Sequence, residues 1–299
     1  MSAPRQTLSF LMRRFQEAGI RPRAKSGQNF LIDLNLLGVL LESAAVTADD
    51  VVLEIGTGTG SLTALLAQRA AAVVTVEVDR QMFQLASEEL QPFENVVMLQ
   101  CDALKHKHRL NPEIFAALAG PLAAAPGRRL KLVANLPYQI ATPVIGNLLA
   151  EEEPPRSMTV TVQKEVAERI VARPGAKAYG ALSIWVQAQC RAEILRTLPP
   201  EAFWPRPKVS SAFLQITLDD ELRKRIPDRQ HFHDFLRAIF LHRRKSLRWQ
   251  LVGAGKHRLD KPAADAMLSE LQLDGRLRAE QLPVDTMLRL CEAVRKSTT

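Results

Sequence analysis

The sequence predicts an α/β protein, with an open, doubly wound, largely parallel sheet followed by a small all-helical domain. Three observations carry that expectation. Short β-branched apolar runs alternate with amphipathic helical stretches, a glycine-rich turn follows the first run, and β-type patterning stops after Asp219 and Asp220. The chain has 299 residues, 46% hydrophobic and 24% charged, enough for a substantial core. It reads as roughly two domains, residues 1–219 and 220–299.

The elements follow in order. Leu8, Leu11, Met12 and Phe15 lie at helical spacing before Gly19, which predicts a short amphipathic helix within 5–18. The stretch 20–27 (IRPRAKSG) is a basic loop. Apolar runs at 51–55, 73–78, 96–101, 130–134 and 158–162 are short and rich in β-branched residues, as buried parallel strands are. Helical patterns at 61–71, 80–90 and 143–151 supply crossovers. The alanine-rich piece 115–127 breaks at prolines and reads as a local insertion. Strand patterns near 192–198 and 209–218 suggest a hairpin-like end to the sheet, and helical spacing at 230–252 and 262–272 builds the second domain.

Charge is segregated along this frame. Residues 1–30 hold six Lys/Arg against Glu17, a balance of +5, and residues 221–260 reach +7. With a total of +8 and neutral last 39 residues, 31–220 carries −4. Basic ends around a mildly acidic middle suggest two surfaces facing a polyanion such as nucleic acid. No stretch approaches the roughly 20 apolar residues of a membrane span, and Arg5, Arg13 and Arg14 stand where a signal peptide is apolar. A cytoplasmic protein without membrane contact is expected. Cys101, Cys190 and Cys291 form no CxxC pair, and His106 and His108 sit in a basic run, so neither a disulfide framework nor a metal site is expected.

The chemistry concentrates at strand ends. The first strand leads into Gly56-Thr57-Gly58-Thr59-Gly60, preceded by Glu54. A dinucleotide turn would place a third glycine at position 61, which is Ser61. GxGxG after an acid fits adenosine carrying an amino-acid moiety better than a pyrophosphate. Glu77 ends the second strand 21 residues after Gly56, where an acid can hold ribose hydroxyls. Asp102 ends the third and can accept from an adenine amine; singly, either acid could be a solvated turn residue. The fourth strand ends in Asn135-Leu136-Pro137-Tyr138. An Asn side-chain oxygen and a backbone carbonyl beside proline can accept both hydrogens of a flipped adenine's amine, and Tyr138 can stack on its ring.

Taken in order, Gly27-Gln28-Asn29-Phe30-Leu31, Glu54-Ile55-Gly56, Glu77-Val78-Asp79, Asp102, Asn135-Leu136-Pro137-Tyr138, Gln163-Lys164-Glu165-Val166, Lys177-Ala178-Tyr179-Gly180 and Phe203-Trp204-Pro205-Arg206-Pro207-Lys208-Val209 resemble the ribosomal RNA adenine N6-dimethyltransferases, specifically the bacterial small-subunit (KsgA/RsmA) type. The resemblance runs from about Arg21 to Leu218 and resumes at 240–247. It implies a Rossmann-like class I methyltransferase sheet, S-adenosylmethionine as donor, and two adjacent adenosines near the 3′ end of 16S rRNA, within an assembling 30S particle, as substrate. It also implies roles: Asn29, Leu31, Gly56, Glu77, Asp102 and Asn135 at the cofactor, with Asn135, Tyr138 and Phe203 at the target base. Arg21, Arg23 and Lys25 at one end and Arg243, Arg244, Lys245 and Arg248 at the other are expected to contact RNA phosphates. No metal is needed, no general base is assigned, and a monomer is expected.

Two departures are visible: the turn lacks the proline that many relatives have after the first glycine, and 104–129 is long. Rival readings are a large-subunit rRNA methyltransferase of the resistance type, a non-catalytic rRNA-binding assembly factor, and a DNA adenine methyltransferase. The glycine before Gln28 and Leu136 favour the small-subunit branch over the first, intact Glu77, Asp102, Asn135 and Tyr138 argue against the second, and Asn135 stands where the third usually has an acid.

Overall fold

A computed structural model describes residues 8–17, 19, 29–106, 109–253 and 259–298. The basic loop with Arg21, Arg23 and Lys25, together with Gly27 and Gln28, lies outside the described residues. The chain packs as two compact units: the described residues up to 167 with 193–217, and 168–192 with those from 218 onward. The second unit thus includes 168–192, which the expected cut at 219/220 places in the first domain.

In chain order the first unit contains α1 (Leu8–Glu17), β1 (Phe30–Leu31), α2 (Leu34–Ala44), β2 (Asp50–Ile55), α3 (Ser61–Ala67), β3 (Ala72–Glu77), α4 (Arg80–Leu90), β4 (Val96–Gln100), β5 (Leu104–His106), β6 (Arg109–Leu110), α5 (Pro112–Ala123), β7 (Arg129–Asn135), α6 (Ala141–Ala150) and β8 (Ser157–Gln163). After α7 (Lys164–Ile170) and α8 (Ala181–Gln187), β9 (Cys190–Leu198), β10 (Phe203–Trp204) and β11 (Ser211–Leu218) complete its strands. Seven of these form one sheet in the order β4-β3-β2-β7-β8-β11-β9. The first five are parallel, and β11 enters antiparallel to β8, with Phe213 opposite Thr161. β1 pairs antiparallel with β10, so Phe30 meets Trp204 and Leu31 meets Phe203.

Position in the sheet explains the strand sequences. β2 and β3 are flanked on both sides and every residue is buried, which is why they read as continuous apolar runs. β4 was expected to be equally buried. It is an edge strand with a strand neighbour on one side only among the described residues, and Val97 is 38% exposed. The alanine-rich stretch is corrected more sharply. It forms the crossover helix α5, capped by Asn111 with Pro112 in its first turn, and it buries Ile114 and Leu118. Proline at a helix start fits the missing donor there, and Pro121 interrupts only the last turn.

The second unit is helical: α8, α9 (Asp220–Lys224), α10 (Arg229–Leu241), α11 (Leu247–Gly253), α12 (Lys261–Glu270) and α13 (Val284–Thr298). Asp219, Asp228 and Asp260 cap α9, α10 and α12 through their carboxylates. The helical pattern expected over 230–252 is two helices, parted by the basic segment 242–246. α10 buries Phe232, Phe235, Leu236 and Ile239, with Trp185 of α8 against Phe232 at 6.1 Å. Tyr179 is fully buried and donates to the Leu282 carbonyl at 3.0 Å; burial pushes its phenol up to about 12. No helix among the described residues is long and apolar enough to cross a membrane.

Candidate active site

The order of the parallel strands reverses between β2 and β7, and ligands in open α/β sheets bind beyond the carboxyl ends at such a point. A cleft of about 410 Å³ opens there, within the usual range for small-molecule sites. Its walls come from four strand ends of the sheet: Ile55 of β2 with Gly56 after it, Val76 and Glu77 of β3, Cys101 and Asp102 after β4, and Asn135 of β7. Asn29 and Phe30 close one side, with Met82, Pro137 and Ile140 as further apolar surface.

The floor is the glycine turn. Gly56 has φ +91° and Gly58 φ +57°, in the left-handed region that favours glycine. A Cβ on Gly56 would lie 3.2 Å from the Pro137 ring, and one on Gly58 3.1 Å from the Phe30 ring. The turn therefore has no side chain where the cleft needs room. Beneath it lies Glu54, 1% exposed, whose carboxylate accepts from Thr63 Oγ1 at 2.5 Å and Thr75 Oγ1 at 2.7 Å. The Thr57 hydroxyl, 2.6 Å from that of Thr75, ties the turn into the same network. Burial, with a smaller push from Glu77, raises Glu54 to about 8 despite both hydroxyl donors.

Glu77 is 8% exposed and shaped as an acceptor: one oxygen takes the Gly58 amide and the other the Asp79 amide, both at 2.9 Å. Burial raises its pKa, and the two amides oppose that rise. A carboxylate offers about four acceptor positions, so the group can still accept from a hydroxyl in the cleft. Asp79 in turn caps α4 through the amides of Gln81 and Met82. Asp102 is exposed at the opposite wall, with one oxygen accepting the Leu104 amide at 2.9 Å.

Asn135 is oriented by its neighbour. Its amide nitrogen donates to the Asn29 carbonyl at 2.8 Å, and because that carbonyl can only accept, the nitrogen end must face it and Oδ1 is left as an acceptor. The Pro137 carbonyl already receives the Ile140 amide at 3.0 Å, which leaves the Leu136 carbonyl as the better second acceptor.

The structure thus brings Asn29, Gly56, Glu77, Asp102 and Asn135 to one cleft, whereas Leu31, Tyr138 and Phe203 do not line it. Tyr138 is half-buried, its hydroxyl 2.5 Å from Ser211 Oγ, and burial raises its pKa. Phe203, expected against the target base, is 2% exposed in the core cluster beside Leu31, because the β1–β10 pairing turns it inward. Its neighbour Trp204 takes the outer position and stacks on Phe15 at 5.5 Å, beside Phe30 and Met82. That aromatic cluster draws on α1, β1 and β10, and its assembly had no signal in the sequence beyond scattered rings. Glu54 did have one, as the acid before the glycines. Among the basic residues, Arg243 pairs with Glu280 and donates to the Lys177 carbonyl, and Arg248 forms a two-pronged pair with Asp265. Arg244 and Lys245 are exposed and form no ion pair among the described residues.

Such strand order and such a cleft define a doubly wound α/β protein with a ligand-sized cleft at its switch point. The sequence profile of the ribosomal RNA adenine dimethylase family matches residues 20–296, and the chain belongs to that family. It is 37% identical over 260 residues to ribosomal RNA small subunit methyltransferase A of Alkaliphilus oremlandii, covering 87% of each chain. With the protein of the same name from Ligilactobacillus salivarius, identity is 38% over 283 residues, 93% of this chain and 92% of the relative. Among solved structures, a dimethyladenosine transferase from Plasmodium falciparum superposes with a TM-score of 0.71 at 23% identity, over 88% of this chain and 96% of its own. The 23S rRNA methyltransferase ErmE gives 0.59 at 22%, over 89% and 100%. The fold is the Rossmann-like one of class I methyltransferases.

Proposed function

We propose that this protein transfers two methyl groups to N6 of each of two adjacent adenosines near the 3′ end of 16S rRNA, using S-adenosylmethionine, during small-subunit assembly. The observation that carries the reading is the convergence of Gly56, Glu77, Asp102 and Asn135, from four strand ends, on one cleft. The cleft suits the cofactor: Glu77 would accept from the ribose hydroxyls, Asp102 would accept from the adenine amine, Met82 and Ile140 supply apolar surface, and the glycine turn at Gly56 leaves room for the amino-acid part. When bound, S-adenosylmethionine supplies an electrophilic sulfonium methyl.

The protein's own work is positioning. Adenine N6 is a poor nucleophile because its lone pair is delocalised into the ring. Asn135 Oδ1, fixed by the bond to Asn29, and the Leu136 carbonyl accept the two N6 hydrogens and turn the lone pair toward the methyl. Preorganised acceptors of this kind lower a barrier by several kcal/mol. Methylated N6 is acidic enough to release its proton to water, so no general base is required. Among the described residues no group of three or more His, Cys, Asp or Glu is placed to hold a metal. The C-terminal helical unit serves the RNA, with Arg244 and Lys245 among its exposed cations.

The test is methyl transfer from labelled S-adenosylmethionine to immature small subunits, naked 16S rRNA and large subunits. Incorporation into N6 of two adjacent small-subunit adenosines is expected. Labelling confined to large subunits would establish the resistance-type reading, and none on any substrate the assembly-factor reading.

A further inference from the structure

α11 buries Leu247, Gln250 and Leu251 on one face. Trp249 projects from the other and is 43% exposed, although Trp185, in the same unit, is 3% exposed. Packing does not require an indole at this position, since the helix already has its buried stripe. The ring is nevertheless held in place. His242 meets it edge-on at 5.1 Å and 88°. Lys245 Nζ stands 5.4 Å from the ring centroid, and Leu241, just before His242, is 75% exposed.

A fixed aromatic surface beside two exposed cations matches a partner carrying both flat rings and phosphates. The neighbouring guanidiniums of Arg243 and Arg248 are neutralised by Glu280 and Asp265, so the nearby charge open to a partner comes from Lys245, over the indole, and from the exposed Arg244 that precedes it in the chain. Single-stranded nucleic acid offers that combination, whereas a duplex hides its base faces in its own stack. Lysine over the ring is a weak, exposed cation–π contact that can be exchanged for a phosphate when a base takes its place.

We propose that Trp249 is a stacking platform for an unpaired base of the RNA substrate, with Lys245 and Arg244 holding the adjacent phosphates. The inference rests on the rRNA reading above and adds to it a site for unpaired RNA on the helical unit.

The experiment measures fluorescence-anisotropy affinity of the full chain for a twelve-nucleotide oligoadenylate and for a twelve-base-pair RNA duplex, in wild type, Trp249→Ala and Trp249→Phe. Loss of one stacked base predicts about tenfold weaker oligoadenylate binding by Trp249→Ala, most of it restored in Trp249→Phe, with duplex affinity unchanged. Oligoadenylate should also quench tryptophan emission in wild type more than in Trp249→Phe, a readout that does not depend on the alanine variant folding. Equal oligoadenylate affinity and equal quenching across the three proteins would overturn the platform and leave the rRNA reading intact. An equal loss on single strand and duplex would overturn it as well, by making the effect electrostatic or structural. If wild type binds neither RNA, the platform is overturned, and the rRNA reading is decided by the methyl-transfer test alone.

Discussion

Replacing Glu54 with glutamine should stabilise the protein at neutral pH and change little below pH 5. Glu54 lies under the glycine turn, 1% exposed, with two threonine hydroxyls on its carboxylate and a pKa of about 8 against an ordinary 4.5. Below 4.5 the group is protonated in folded and unfolded chains alike and contributes no difference. As pH rises, the unfolded chain releases the proton while the folded one keeps it, so stability falls by about 1.4 kcal/mol per pH step until about 8 and then levels off. By pH 7 that loss amounts to about 3 kcal/mol. Glutamine has the size of the protonated acid, can accept the same two hydroxyls and does not titrate. Urea unfolding of both proteins without cofactor, from about pH 5 to pH 8, supplies the measurement. Other titrating groups cancel in the difference, as does any constant offset between amide and acid. A difference in unfolding free energy that stays flat across this range would refute the reasoning, since it would mean that Glu54 ionises in the fold as it does in water.

Three further outcomes are expected. Glu77→Ala removes the acceptor for the Gly58 and Asp79 amides as well as the one for ribose, and should weaken S-adenosylmethionine binding by about 2 kcal/mol, roughly thirtyfold, by calorimetry with the fold retained. Asn135→Ala should abolish methyl transfer in single-turnover assays while both cofactor and rRNA still bind, because its free oxygen acts at the reacting nitrogen; wild-type turnover would remove it from the mechanism. Reversing Arg244 and Lys245 to Glu should weaken rRNA binding and reduce the slope of log affinity against log salt by about 1.5, with cofactor affinity untouched. Arg243 is left out of that variant because its bonds to Glu280 and Lys177 hold the helical unit together, and its loss would confound the result.

Much of this protein is determined along the chain itself. The apolar runs of β2, β3, β7 and β8, the glycine turn and the acids at successive strand ends are local features, set by backbone geometry and by the need of each strand to bury both faces, so they are legible without a structure. The cleft residues Gly56, Glu77, Asp102 and Asn135 belong to this class because the parallel topology itself brings carboxyl ends together. Other features depend on what each residue meets across the fold. Neighbours alone decide that β4 is an edge, and whether an alanine-rich stretch packs as α5 depends on the sheet surface offered to Ile114 and Leu118. Phe203 and Trp204 are adjacent aromatics with opposite fates, since pairing with β1 sends one into the main core and the other to the cluster of Phe15, Phe30 and Met82. Arg243 and Arg244 are identical in sequence terms, yet only tertiary packing supplies Glu280 to one and leaves the other exposed to a partner. Pattern fixes which groups are present, on which element and which strands are buried on both faces, while edge position and side-chain pairing depend on contacts between residues far apart in the chain, which no local spacing encodes.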